Sequence, residues 1–338
     1  MPIRPSFIFH WKDHLSQAEK TSKMSGEPFA HGADVSGAAG LKRLGIWVDL
    51  LPPGRRTALP HAHKMIEEFI FVVEGAPDVW IDGYLHPLRP GDAVGFPQGT
   101  GIGHNVLNNS DEDALLIVVG DRATDDKGYY PVDPDRNVWM REHGFGWPEV
   151  PKRELGPHDG TLGSPRVEGD TRPEFLMQWR DIVGADENHY PGSDEPVCYG
   201  AEFTSKMELK RIGAGVDIVS PGRRSGWPHA HEEEEEFIFI LEGSTDVWVD
   251  GEIYPAGPGD CIGFPAGTGI AHTFINNSER DVVYLVLGER DKFTDTRVHY
   301  TFHEARNKEI GARHWHDMPK RDLGPHDGKP DALRAKEV

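Results

Sequence analysis

The chain has 338 residues, with 56 acidic against 36 basic side chains and a formal net charge of −20. That balance counts against a nucleic-acid binder, which needs a basic surface to displace counterions from phosphates, and against docking on anionic membranes. The length suits two domains of ordinary size, and 39 glycines with 27 prolines suit short strands joined by turns.

In chain order the local signals are β. Residues 44–50 are strand-like and run into the turn Pro52-Pro53-Gly54. Residues 69–73 form a short aromatic and β-branched run ended by Glu74-Gly75, and residues 79–81 meet Asp82-Gly83, a strong hairpin dipeptide. The turn Arg89-Pro90-Gly91-Asp92 precedes another short run, and residues 115–119 close the β region. The same pattern returns at 237–241, at 247–249 before Asp250-Gly251, and at 282–287. Many short strands with turns between them predict a sandwich or barrel. The polar flanks 121–150 and 290–318 are expected to be irregular arms or short helices.

The return of the pattern is a duplication of nearly the whole chain. Pro60-His61-Ala62-His63 recurs as Pro228-His229-Ala230-His231, at an offset of 168 residues that also relates His104 to His272. The ends match at the same offset: Trp11-Lys12-Asp13 with Trp179-Arg180-Asp181, and Gly156-Pro157-His158-Asp159-Gly160 with Gly324-Pro325-His326-Asp327-Gly328. Two tandem domains are expected, 1–164 and 165–338, joined in the Gly/Pro/charged stretch from Gly163 to Gly169. The offset is expected to hold throughout. The two cysteines, Cys198 and Cys261, correspond to Ala30 and Ala93, so no repeated disulfide framework exists. With no apolar leader-like run before Lys12 and no membrane-length segment, a cytoplasmic protein is expected.

The repeated stretch carries chemistry. His61 and His63, at i and i+2 on a strand, present both rings to one interior. A carboxylate from the following strand and a distant third imidazole would complete a metal site, present twice. Glu67 and Glu68 compete for the carboxylate. Alternation puts Glu68, Ile70 and Val72 on one face and Glu67, Phe69 and Phe71 on the other, and periodicity alone leaves the choice open. Arg55, Arg56, Arg223 and Arg224 precede the histidines. An inward arginine would bind a substrate carboxylate or phosphate; an outward one would pair with one of the many acids.

Gly54, His61, His63, Glu68 and Gly75 together resemble the first motif of the cupin superfamily, and Gly91, Pro97, Gly99, His104 and Asn108 resemble the second. The second copy supplies Gly222, His229, His231, Glu236 and Gly243, then Gly259, Pro265, Gly267, His272 and Asn276. The resemblance covers almost the whole chain. It implies an all-β bicupin: two double-stranded β-helix jelly-roll barrels in tandem. It also implies one divalent transition metal per domain, held by His61, His63, Glu68 and His104 and by His229, His231, Glu236 and His272. The run Glu232 to Glu235 is then expected to be mostly a solvated turn. Three imidazoles and a carboxylate suit Mn, Fe, Co, Ni or Zn and leave coordination positions open. Gly99, Gly101 and Gly103, beside the third histidine, are read as positions for positive φ.

The first functional expectation is a metal-dependent enzyme on a small oxygenated molecule, because single segments resemble cupins described as sugar-phosphate isomerases. A non-haem iron dioxygenase of the bicupin type is the second, and a non-catalytic small-molecule-binding protein the third. Retention of all eight ligands counts against the last. The general base is not identifiable, and the pocket walls differ: Leu59 becomes Trp227, Gln98 becomes Ala266 and Asn105 becomes Thr273. Exposed jelly-roll edges make a homo-oligomer an expected assembly. His158 and His326 are assigned to a structural arm. His314-Trp315-His316 has the HxH form without downstream partners, and no site is expected there.

Overall fold

The computed structural model describes residues 3–16, 20–21, 26–165, 167, 171–290 and 296–336. It is mostly antiparallel β-structure, and the alternation along one strand explains its layers. In Glu68–Glu74, Ile70 and Val72 face the interior of the first barrel with Val79, Val94 and Leu116. Phe69 and Phe71 face the other way, into a core shared with Phe237, Phe239 and Phe203 of the second copy. Each such buried aromatic is worth about 1.5–3 kcal/mol. The two copies are therefore joined through the backs of their large sheets, while each keeps a separate barrel core.

The first large sheet runs, in spatial order, Leu176–Gln178, Asp92–Phe96, Glu68–Glu74, Ala114–Asp121, Leu44–Leu51 and His31–Asp34. A smaller sheet of Arg55–Arg56, His104–Asn108, Asp78–Ile81 and Tyr84–Pro87 closes the barrel. The second copy repeats both sheets around Glu236–Glu242 and His272–Ile275. Asp82 and Gly83 both have positive φ, at 45° and 91°, which the two-residue hairpin turn requires. Gly83 has a second reason to lack a side chain: a Cβ there would lie 2.4 Å from the backbone of Gly156. The arm carrying Gly156 crosses the hairpin, and Trp80 Nε1 donates to the His158 carbonyl at 2.8 Å. His158 and, by the same contact from Trp248, His326 belong to these arms.

Sheet membership does not follow chain order. Ile8–His10 pairs with Asp260–Phe264 of the second copy, and Leu176–Gln178 pairs with Asp92–Phe96 of the first. Each copy thus lends its first strand to the other's sheet. Part of the stretch expected to join the domains, residues 166, 168 and 169, lies outside the described residues.

The constant offset breaks once. Gly128 pairs with His63, but the residue paired with His231 is Val298, two further along than the offset predicts. Register is restored by Trp147 and Trp315, whose N–H groups donate to Gly128 and Val298. The intervening arms carry the helix Pro134–Glu142 and its shorter counterpart Glu304–Glu309, so the two extra residues before the arm are compensated by a shorter helical segment. Both cysteines, Cys198 and Cys261, are free. Among the described residues no helix is long and apolar enough to cross a membrane.

Candidate metal centres

The first and third histidines of each set are cross-strand neighbours. His61 and His104 exchange backbone hydrogen bonds of 3.1 and 2.9 Å, and His229 lies opposite His272. The second histidine follows on the same strand, its ring edge-on to the first at 4.8 Å in one copy and 4.9 Å in the other. The carboxylate comes from the large sheet. Glu68 Oε2 lies 3.9, 3.7 and 3.6 Å from Nε2 of His61, His63 and His104, and Glu236 Oε2 lies 3.5 and 2.9 Å from Nε2 of His231 and His272. In the second copy all four groups converge on one point. In the first, His61, Glu68 and His104 form the tight cluster and His63 stands slightly apart, drawn to Asp126.

Neighbouring groups settle which ring nitrogen can ligate. His61, His104, His229 and His272 each place Nδ1 2.7–3.2 Å from a backbone carbonyl, those of Leu59, Ile102, Trp227 and Ile270. A carbonyl only accepts, so Nδ1 carries the proton and Nε2 presents its lone pair to the centre. Phe96 and Phe264 stack on the third histidines at 3.8 and 3.7 Å and hold the ring planes. His104 Nε2 is buried with no hydrogen-bond partner. His272 Nε2 faces a carboxylate oxygen at 2.9 Å, acceptor against acceptor. Such an arrangement needs a cation between the atoms, so the donor sets fit a divalent transition metal. Burial and the neighbouring imidazoles hold His61 and His229 down at about 3, neutral at physiological pH. Burial pushes Glu68 up, but the surrounding imidazoles, that of His104 foremost, outweigh it and hold the carboxyl at about 2.

Two carboxylates that sequence reasoning missed sit behind the second histidine. Asp126 Oδ2 lies 2.6 Å from His63 Nδ1, and its other oxygen accepts from the Met65 N–H. In the second copy the corresponding residue is Thr296, and Glu234 instead places Oε2 3.4 Å from His231 Nδ1. The two-residue insertion hides this exchange of roles from an alignment at constant offset. Asp126→Asn is expected to weaken metal binding at the first centre about 10–100-fold and to leave the second unchanged. Chelator competition with metal analysis of each fraction measures it.

The glutamate run is not mainly a solvated turn. Glu232 pairs with Arg297, Glu234 backs His231, and Glu235 is 3% exposed. Glu235 accepts from the backbone N–H groups of Lys42, Arg43 and Leu44 in the other copy, and Glu67, fully buried, accepts from those of Lys210, Arg211 and Ile212. Glu67 and Glu68 thus split along the alternation: Glu68 joins the histidines and Glu67 joins the copies. Gly99, Gly101, Gly267 and Gly269 have positive φ, whereas Gly103 does not and instead makes room for Pro131 and Trp80.

The four arginines are held in the barrel walls. Arg56 grips Glu27 and the Gly160 carbonyl. Arg224, 1% exposed, makes the equivalent pair with Glu195 and Gly328. Arg223 pairs with Asp186, and Arg55 donates to the Phe29 carbonyl.

The two centres differ most in the space beside them. A cavity of about 520 Å³, ordinary for a small-molecule site, opens from His229, His231 and Glu236 along Gly213, Gly215, Gly288 and Val286 to Asp217. A pocket that touches the first centre at His63, Glu68 and His104 has about 10 Å³, much less than the cavity at the second. Gly215 corresponds to Trp47, whose ring lies against Gly45, and Asn188 corresponds to Lys20, whose ammonium sits 3.5 Å from Asp49. Asp217, the counterpart of Asp49, has no such cation among the described residues and is approached by the Tyr284 hydroxyl at 3.3 Å and the Cys198 thiol at 3.5 Å. Burial holds its carboxyl up at about 6. The Trp47-to-Gly215 difference is readable from the repeat, but its meaning depends on which face of the strand lines the barrel.

Paired jelly-roll barrels, each with three histidines and a glutamate converging at its open end, define a duplicated β-barrel protein with two metal-competent centres. The family model described as "Cupin domain" matches residues 47–120 and 215–288, one match per barrel. The chain is a two-domain cupin protein, a bicupin. It is 22% identical over 257 residues to the quercetin 2,3-dioxygenase of Bacillus subtilis (strain 168), covering 73% of this chain and 75% of that one. It is 25% identical over 160 residues to a 5-nitrosalicylic acid 1,2-dioxygenase of a Bradyrhizobium species, covering 44% of this chain and 72% of that one. Among solved structures it is similar to the oxalate decarboxylase of Bacillus subtilis, with a TM-score of 0.52 and 18% identity, over 89% of this chain and 80% of that one. The last likeness is one of fold.

Proposed function

We propose that the chain is a metal-dependent dioxygenase that acts on a small, uncharged hydroxylated molecule at the second centre. The observation that carries this reading is the cavity beside His229, His231 and Glu236: roomy, lined by glycines and carboxylates, and without a lysine or arginine among its described lining residues. His229, His231, Glu236 and His272 are the proposed ligands of the substrate-facing ion, and His61, His63, Glu68 and His104 those of the other. A divalent transition ion held there supplies a Lewis acid for oxygen ligands and, if iron, electrons for O₂. The protein's own part is to bind, orient and take a proton. Asp217, held near neutrality and without a cationic partner among the described residues, is placed to accept the proton of a substrate hydroxyl. The glycines at 213, 215 and 288 let a planar ring lie against the strand backbones.

Two dioxygenases among the relatives support this class over the isomerase first expected. A sugar phosphate would require cations beside the cavity, and Arg223 and Arg224 are instead spent on Asp186 and Glu195. The test is metal analysis of protein purified without added metal, followed by O₂-uptake measurements on catechol, flavonol and β-diketone panels. Substrate-dependent O₂ uptake is expected. Turnover of neutral sugars without O₂ would replace this reading with the isomerase, and metal at neither centre would replace it with a binding role.

A further inference from the structure

We propose a third transition-metal site, outside both barrels, formed by His299, His314 and His316. The His314-Trp315-His316 stretch acquires in the fold the partner it lacks in sequence. Trp315 is buried, 4% exposed, and its N–H donates to the Val298 carbonyl at 3.0 Å. That anchor sets the stretch parallel to Val298–Tyr300, with Val298 bridged to His314. Because His314 and His316 flank the anchored tryptophan at i and i+2, both project away from the side that Trp315 buries. Alternation gives His299 the same side. Its neighbour Tyr300 faces the second centre, 5.9 Å from His229, so His299 faces outward.

His314 stands between the other two rings. His299 Nδ1 and His314 Nε2 are 3.1 Å apart, and the rings of His314 and His316 are 4.2 Å apart, centroid to centroid. Two imidazole nitrogens that share one ion at about 2.0–2.1 Å stand roughly 3 Å from each other, so the first pair already has the spacing of adjacent ligands. His316 is exposed and can turn to supply the third nitrogen. Burial and a neighbouring imidazole keep both His299 and His314 below the usual histidine range, leaving lone pairs available at neutral pH, and the Glu304 carboxylate adds negative charge nearby. Three imidazoles in this setting suit a borderline divalent ion such as Zn²⁺, Ni²⁺ or Cu²⁺. The first copy has Tyr129, Gly146 and Pro148 at the corresponding places, so the site belongs to the second copy alone. It lies on the outer face of the strand that pairs with His229–His231.

The test is equilibrium dialysis of the full chain against micromolar free Zn²⁺, with metal and protein quantified together. The wild-type chain is expected to hold one ion more than either His314→Ala or His316→Ala, and His316 is exposed enough that its variant keeps the fold. Equal zinc content in the wild-type and both variants would overturn the proposal. The proposal is independent of the chemistry assigned to the barrels, since Glu68→Ala and Glu236→Ala should each lower zinc content without removing that difference.

Discussion

Gly215→Trp is expected to lower turnover about a hundredfold or more while both barrel centres keep their metal. The substitution places in the second barrel the residue that the first barrel has at the same position, Trp47. Its indole would occupy the space now bounded by Gly213, Gly215 and Gly288, and substrate would lose its place beside the ligands. Displacing a substrate by even an ångström costs about this much. A Cβ at position 215 meets the Ala201 carbonyl at 2.9 Å, closer than real Cβ contacts, so the paired backbone must shift. The first barrel carries a tryptophan on the corresponding strand pairing, Asp34 opposite Trp47. Metal analysis and a thermal melt separate a filled cavity from a damaged fold. Glu236→Ala makes the contrast: it should remove one ion and turnover together, the loss being about a thousandfold or more because an ion contributes several kcal/mol to such chemistry. Unchanged turnover in Gly215→Trp would show that the reaction does not use this cavity.

The features that could be read in advance are those carried by residue type and spacing. His61, His63 and His104 stand out because the same three recur 168 residues later, and strand alternation places the first two on one face whatever the tertiary fold. What could not be read depends on elements far apart in sequence. Alternation says that only one of Glu67 and Glu68 can face the histidines. It does not say that the other meets Lys210, Arg211 and Ile212 of the second copy, because that contact exists only after the two large sheets pack back to back. The exchange of Ile8–His10 and Leu176–Gln178 between sheets is hidden for the same reason. The roles of Asp126 and Glu234 are hidden by a local insertion that a constant offset steps over. Arg224 was readable as an arginine near a site. Its burial against Glu195 follows from the segment before the barrel folding back across the wall.

Glu67→Ala is expected to destabilise the protein by about 4 kcal/mol and to leave the metal content of the folded molecules intact. Glu67 is fully buried, and its carboxylate receives three consecutive backbone N–H groups, from Lys210 at 2.8 Å, Arg211 at 2.8 Å and Ile212 at 3.2 Å. Hydrogen bonds to a charged group each contribute about 1.5–3 kcal/mol, and the donors left behind lose their partner where water reaches poorly. The sum is smaller than three separate bonds, because three donors share two oxygens. Arg211 adds to the junction by donating to the Gln98 side chain and pairing with Asp121 at 3.1 Å, both in the first copy. Glu235 makes the same contact in reverse with Lys42, Arg43 and Leu44, so Glu235→Ala should cost a similar amount. Glu67→Gln should fall between, since an amide keeps one acceptor oxygen but turns an NH₂ toward the remaining donors. Urea unfolding of the three variants gives the stability differences, and metal analysis of the native fractions gives the rest. Glu68→Ala should behave in the opposite way, losing an ion while keeping most of its stability. Metal loss in Glu67→Ala with unchanged unfolding would reverse the assignment of the two neighbouring glutamates. Because each clamp residue immediately precedes the strand that begins with the ligand, the junction between the copies also fixes where Glu68 and Glu236 stand relative to their histidines.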